Sequence, residues 1–360
     1  MVWVGSLLYK FSLLPKTVDT LTTVISGYMI ALVAPHGRVC VLITLALLSS
    51  YGGTIECIVL YAVIRHFQLR CVGTGITTTS TSNVFKRTLR LATLGFTAVC
   101  IHEIDTGILP AKHRKSSCEA DHLSLMDTGL GYFIISDALS SINRSRLYWK
   151  EQIYLLIAGM VRVCLGFYLP NADKEEYGPY WNSFLTMLSV RFLGFLTRRL
   201  KKVQSLFCIG TLMGLNQVVL TFYPQSPILR FAGPWAAVLG YFPLYILTQL
   251  IFTITQDYSN TNLRQLIILA LLCFSCFPSK AGVNAHFMSP AVVSLLLATT
   301  YCCWILTLHH PCGPVPPVRG RWAFLSTNIL TGMYKILKPR GVYFTLFEIV
   351  YIEVFTLCLG

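Results

Sequence analysis

The chain has 360 residues, 54% of them hydrophobic and 12% charged, with a formal net charge of +14 from 29 Lys and Arg against 15 Asp and Glu. With a mean hydropathy of +0.61, and against the roughly 25% charged residues of a soluble domain, this composition excludes a conventional soluble enzyme and leaves no room for a second, soluble domain. Basic loops facing the cytosol account for the positive charge, with the excess available to membrane lipids or a phosphorylated substrate, so no nucleic-acid partner is expected.

The expected fold is all-α, a polytopic integral membrane helical bundle forming one multi-span domain over residues 1–360, with roughly ten to thirteen transmembrane helices at about 20 residues each. The opening MVWVGSLLYKFSLLPK lacks a basic start followed by a small-residue cleavage site and reads as retained. A first span covers 18–34, and a second, 39–67, bends at Gly52 and Gly53. A Thr- and Ser-rich loop over 73–83 is flanked by Arg65, Arg70, Lys86, Arg87 and Arg90. Further spans are expected at 88–104, 127–142, 151–169, 182–198, 203–222, 231–256, 263–278, 287–308, 321–337 and 342–359. The Pro-rich stretch 311–317 is a stiff loop. Most of the thirteen cysteines lie inside apolar runs, as Cys40, Cys57, Cys100 and Cys164 do. They read as small packing residues, with no zinc site, no other metal site and no disulfide framework.

The densest basic run is Arg198, Arg199, Lys201 and Lys202, which the positive-inside rule places in the cytosol. Counting back span by span puts 171–181 outside, 143–150 inside, 105–126 outside and the 65–90 loop inside again. Two polar clusters, 101–131 and 171–182, therefore share the non-cytosolic face, which in the secretory pathway is a lumen.

Acidic groups at the edge of hydrocarbon are costly and mark function by default. The span ending near residue 104 closes on His102, Glu103 and Asp105, and the next opens on Met126 and Asp127. Asp105 and Lys115 bracket Pro110, so the chain can bring a carboxylate and an ammonium together. A shielded carboxylate can take a proton from a hydroxyl while a cation stabilises an oxyanion, which is what acyl transfer needs; the competing reading is a structural ion pair. His102 lies one helical step from Asp105, a spacing that suits a base and its acid. Arg162 stands inside a span, where it can hold a phosphate or pair structurally with Asp137. Tyr177 and Trp181 have the character of interfacial belt residues. Ser326, Thr327, Asn328, Thr331 and Gly332 form a small, polar face suited to helix packing.

Taken in order and spacing, these clusters resemble the GPI-anchor inositol acyltransferases. That family carries an Asp, a Lys ten residues later and then Met-Asp-x-Gly-x-Gly; Asp105, Lys115, Met126, Asp127, Gly129 and Gly131 stand at those places, over a Lys-to-Met gap a couple of residues longer. Glu176, Tyr177, Gly178, Trp181 and Asn182 match its Glu-Tyr-Gly-x-x-Trp-Asn, Gly159 and Arg162 its upstream Gly and Arg, and Thr327, Asn328, Thr331 and Gly332 its late polar pattern. Thr106 and Gly107 replace a family Phe-Pro, and Phe231, Ala232, Gly233 and Pro234 replace a charged Asn-Arg/Lys-Glu-Gly segment. The resemblance covers 88–358. It implies a multi-pass protein of the endoplasmic reticulum membrane that uses no bound cofactor and takes acyl-CoA as co-substrate and glucosaminyl-phosphatidylinositol as acceptor. Asp105 and Lys115 would be catalytic, and His102, Asp127, Arg162, Tyr177, Trp181, Asn182 and Asn328 would bind substrate. The rival readings are a secondary transporter of a lipid or anionic metabolite and a non-catalytic relative acting as a scaffold.

Overall fold

In a computed structural model of the protein, the described residues are 125–142, 147–168, 181–222 and 233–257, together with separate positions within 85–101 and from 267 to 337. Among them every regular element is a helix, so the fold is all-α. The chain sorts into two compact units, one formed by 1–6, 18–114 and 301–360, the other by 7–17 and 115–300.

In the first unit, Phe85, Leu89, Leu94 and Ala98 are buried at helical spacing. Phe85 meets Trp304 with ring centroids 6.5 Å apart, and Trp304 in turn meets Tyr301 at 5.5 Å. Lys86 is partly covered, and burial lowers its ammonium pKa below the usual lysine value.

The second unit contains five complete helices: α1 Leu125–Ser141, α2 Trp149–Tyr168, α3 Ser183–Thr197, α4 Lys202–Phe222 and α5 Gly233–Asp257. Each lies within two residues of a span expected from hydropathy, because the length of the apolar run sets the length of the helix. Asn182 caps α3: its Oδ1 accepts from the amides of Phe184 and Leu185. Lys201 and Gln204 form half of a capping box, the Gln204 side chain accepting from the Lys201 amide at 2.9 Å and so satisfying a donor that the start of α4 would leave bare. At α2, the Tyr148 carbonyl accepts from Glu151 and Gln152, and Glu151 in the first turn complements the helix dipole.

Helix α5 is the hub, packing against α1, α3 and α4, while α2 packs on α3. The 18 residues Val238–Thr255 are apolar and long enough to cross a membrane, and they are 67% buried. The core joins Tyr241, Leu244 and Phe252 of α5 to Ile134, Ile135 and Leu139 of α1, all nearly inaccessible. Helix α5 runs through Pro243, which gives up one backbone donor and is tolerated because the turns on either side are packed. Thr248 and Thr255 donate to carbonyls one turn back, so their hydroxyls need no outside partner. The outer faces differ. On α2, Trp149, Ile153, Tyr154, Leu156, Ile157, Met160 and Val161 are all exposed, as are Val203 and Phe207 on α4.

Candidate functional site

The structure brings two of the sequence motifs together around Asn182. This residue is 2% exposed, and while its Oδ1 caps α3, its Nδ2 donates to the carbonyl of Gly159 on α2 at 2.9 Å. The two are 23 positions apart. Gly159 permits the close approach: a Cβ there would lie 2.7 Å from Cδ2 of Leu185 and 2.9 Å from its Cγ, so that side chain would have to shift. Trp181 donates its indole N–H to Oγ1 of Thr186 at 2.9 Å, and Thr186 reaches back to the Asn182 carbonyl. The polar groups of Trp181 and Asn182 are thus engaged in building the start of α3.

That start is deep. Gly159 stands ten residues after Trp149 and nine before Tyr168, the ends of α2, so Asn182 lies about 14 Å from either end at 1.5 Å per residue. Trp181 therefore sits level with the middle of α2, where the expectation was an interfacial belt. Helix α3 has only 15 residues and spans about 22 Å, which is why its N-terminal donors need a side-chain cap in place of water.

Arg162 is exposed on α2, and the alternative pairing of Arg162 with Asp137 is not what forms. Asp137 belongs to Arg191 of α3, which donates Nε to its Oδ2 at 2.6 Å and Nη2 to its Oδ1 at 2.5 Å. Nη1 of Arg191 approaches Glu151 of α2 at 3.5 Å. Depth explains the choice. Asp137 is four residues before the end of α1 and faces the beginning of α2, whereas Arg162 is thirteen residues into α2, about 20 Å further along. Arg191, just past the middle of the antiparallel α3, is level with both carboxylates and clamps α1, α2 and α3 together.

Around this clamp lies a small cleft open to solvent, whose walls include Tyr148, Gln152, Phe195, Arg198 and Tyr245. Tyr245 donates to Oγ of Ser141 at 2.8 Å, as does Nε2 of Gln249, and Ser141 passes its own proton to the Ala138 carbonyl. Tyr245 can lie flat on α3 because Gly194 is beneath it: a Cβ at 194 would fall 2.9 Å from Cδ1 of the ring and closer still to Cε1. Gln152 is 7% exposed, and its Oε1 accepts no hydrogen bond. The sequence reading missed this cluster, although Asp137, Glu151 and Arg191 are charges in three apolar runs.

Asp127 falls in the first turn of α1. Asp105, Lys115, His102, Tyr177 and Asn328 lie outside the described residues.

Comparison with known proteins adds sequence relatives. An uncharacterised protein of Arabidopsis thaliana is 27% identical over 176 residues, 44% of this chain and 40% of its own length. GPI-anchored wall transfer protein 1 of Kluyveromyces lactis is 28% identical over 163 residues, 40% of this chain and 34% of its own length. The glucosaminyl-phosphatidylinositol-acyltransferase PIGW of Bos taurus is 25% identical over 159 residues, 39% of this chain and 31% of its own length. Each alignment thus spans well under half of the relative it matches. No solved structure matches the chain. The sequence profile of the GWT1 family, however, matches residues 2–312, and so the chain belongs to the GWT1 family.

Proposed function

We propose that the chain is a multi-span enzyme of the endoplasmic reticulum membrane working in GPI-anchor biosynthesis, where it moves a fatty acyl group from acyl-CoA to the inositol ring of glucosaminyl-phosphatidylinositol. The observation that carries this reading is the meeting of Gly159 and Asn182: two segments matched separately to the inositol acyltransferase pattern turn out to be one structural unit. The name of the Bos taurus relative supports the reaction, and the name of the Kluyveromyces lactis relative supports the GPI connection. Membrane placement is supported by the span Val238–Thr255 and by the large side chains exposed along α2 and α4, which in water would form an apolar patch that soluble monomers rarely carry.

In this reading Asp105 takes the proton from an inositol hydroxyl as its oxygen attacks the thioester carbonyl carbon. Lys115 stabilises the oxyanion that forms. Collapse breaks the carbon–sulfur bond, the thiolate of CoA departs, and the proton held by Asp105 can follow it. Asn182 and Trp181 contribute by fixing the buried start of α3, and Arg162, His102, Asp127, Tyr177 and Asn328 complete the pocket. The test incubates membranes bearing the protein with labelled acyl-CoA and glucosaminyl-phosphatidylinositol. The lipid product is then treated with a phospholipase that uses the ring 2-hydroxyl as its internal nucleophile. A labelled, resistant product is expected; a chain that yields only unlabelled, sensitive lipid is a transporter or scaffold.

A further inference from the structure

The short turn between α3 and α4 holds positive charge on a fixed frame. Arg198, Arg199, Lys201 and Lys202 are all exposed there. The backbone beneath them is tied down: the amide of Leu200 donates to the Thr197 carbonyl and that of Ser205 to the Lys201 carbonyl, both at 2.9 Å, while the Lys201 amide donates to the Gln204 side chain. The elements that carry these cations offer them no carboxylate, because the chain has no Asp or Glu from 177 to 256. Lys201 and Lys202 also stand at the positive end of the α4 dipole, and no acid occupies the first turn of α4, whereas α2 opens on Glu151. Such a placement of cations is locally unfavourable and is relieved by an external anion.

Hydrocarbon-like surface begins directly beside the charges. On α3 Phe192 and Leu196 are exposed, and on α4 Val203 and Phe207 are each 77% exposed. All four lie within about 9 Å of the turn at 1.5 Å per residue. Tyr148, which lines one cleft with Arg198, and its neighbour Trp149 are exposed aromatic residues, and rings beside cations mark the headgroup level of a membrane. We propose that the α3–α4 turn binds an anionic phospholipid of the cytosolic leaflet. Its phosphate meets the cations of the turn, and its acyl chains lie along Phe192, Leu196, Val203 and Phe207. A role in setting topology accounts for the sign of the charge, but it would be met equally by a mobile loop with no apolar flank. This site presupposes the membrane placement proposed above and not acyl transfer.

The test uses the full-length chain in detergent, with native mass spectrometry reading the lipid retained from equal mixtures of phosphatidylglycerol and phosphatidylcholine of identical chains. Phosphatidylglycerol is chosen because it carries no inositol and so does not report on the proposed acceptor pocket. The anionic lipid should be retained in preference, and the preference should shrink as salt is raised. Each cation near an anionic surface is worth about fivefold in binding, so Arg199→Gln with Lys201→Gln should weaken phosphatidylglycerol about 25-fold and leave phosphatidylcholine unchanged. Arg199→Lys with Lys201→Arg keeps the charge and should bind as the wild type does. Where the neutralised protein fails to insert or fold, the wild-type ratio and its salt dependence carry the result. Glycerophosphoglycerol, the headgroup without chains, should not displace the lipid at equal concentration; displacement would make the turn a site for soluble phosphates and overturn the lipid assignment. Equal retention of the two lipids also overturns the proposal, as does a neutralised protein that keeps the wild-type ratio. A chain released from membranes without detergent would sink the membrane placement itself, while acyl transfer by the same preparations bears only on the proposed reaction.

Discussion

A methyl group at position 194 would run into the ring of Tyr245, whose hydroxyl is pinned to Ser141, whereas one at position 159 would meet the end of the more pliable Leu185 side chain. Both changes overpack, at about 1 to 3 kcal/mol, but Gly194→Ala should cost more, and Tyr245→Leu should relieve most of its penalty. Thermal melting of the two single variants and the Gly194→Ala, Tyr245→Leu double variant checks the ranking; equal melting temperatures for the singles would contradict it. Asn182 allows a finer separation of cap from crosslink. Asn182→Ala loses both and should cost about 1 to 2 kcal/mol or more. Asn182→Asp keeps the acceptor for Phe184 and Leu185 but sets a carboxylate against the Gly159 carbonyl, so it should destabilise the α2–α3 contact while leaving α3 itself helical. Circular dichroism together with melting distinguishes the two.

Between elements, the Arg191 clamp decides how α1, α2 and α3 register. Arg191→Met leaves Asp137 without its partner in a setting where the two side chains are only 18% and 12% exposed, and breaking a buried pair costs about 3 kcal/mol, somewhat less here because water still reaches both groups. The double change Arg191→Met, Asp137→Leu should recover much of that loss; no recovery in the denaturation midpoint would mean that the clamp does more than balance charge. The pair also shows where sequence reading stops. The helices themselves were legible, since the expected spans 127–142, 151–169, 182–198, 203–222 and 231–256 each fall within two residues of α1 to α5. Apolar run length and caps are local properties. Partner choice depends on depth across antiparallel helices, and depth depended on the unforeseen start of α3 at the level of Gly159. That displacement turned Trp181 from a belt residue into part of a buried cap, and it gave Asp137 to Arg191 and not to Arg162.

For the whole molecule, the proposed topology and chemistry make separable predictions. The count of spans puts Asn143, in the sequon Asn143-Arg144-Ser145, on the cytosolic side, so glycopeptide mass spectrometry should find it unmodified. A glycan there would invert the assignment of faces and carry the cleft at Arg198 to the lumen. On the chemistry, Asp105→Asn should lower acyl transfer about 10²- to 10⁴-fold by removing the base while keeping the shape, with binding of glucosaminyl-phosphatidylinositol largely intact. Near-normal turnover would return Asp105 and Lys115 to the role of a structural pair. In the stretch 231–234, substituting Asn, Arg, Glu and Gly for Phe231, Ala232, Gly233 and Pro234 should raise turnover if the charged segment contacts a substrate. An unchanged rate at equal expression would make the segment a helix start and nothing more, consistent with Gly233 opening α5.

The deep cap on α3 also reverses the usual order in which a helix opens. Termini ordinarily fray first and exchange their amide hydrogens fastest. Here the amides of Phe184 and Leu185 are tied to a side chain that is 2% exposed and itself anchored to α2, while at the other end Arg198, Arg199 and Leu200 are exposed and closed only by single-turn bonds. In deuterated buffer the first turn of α3 should therefore label as slowly as its centre, and the helix should unzip from the basic end toward Asn182.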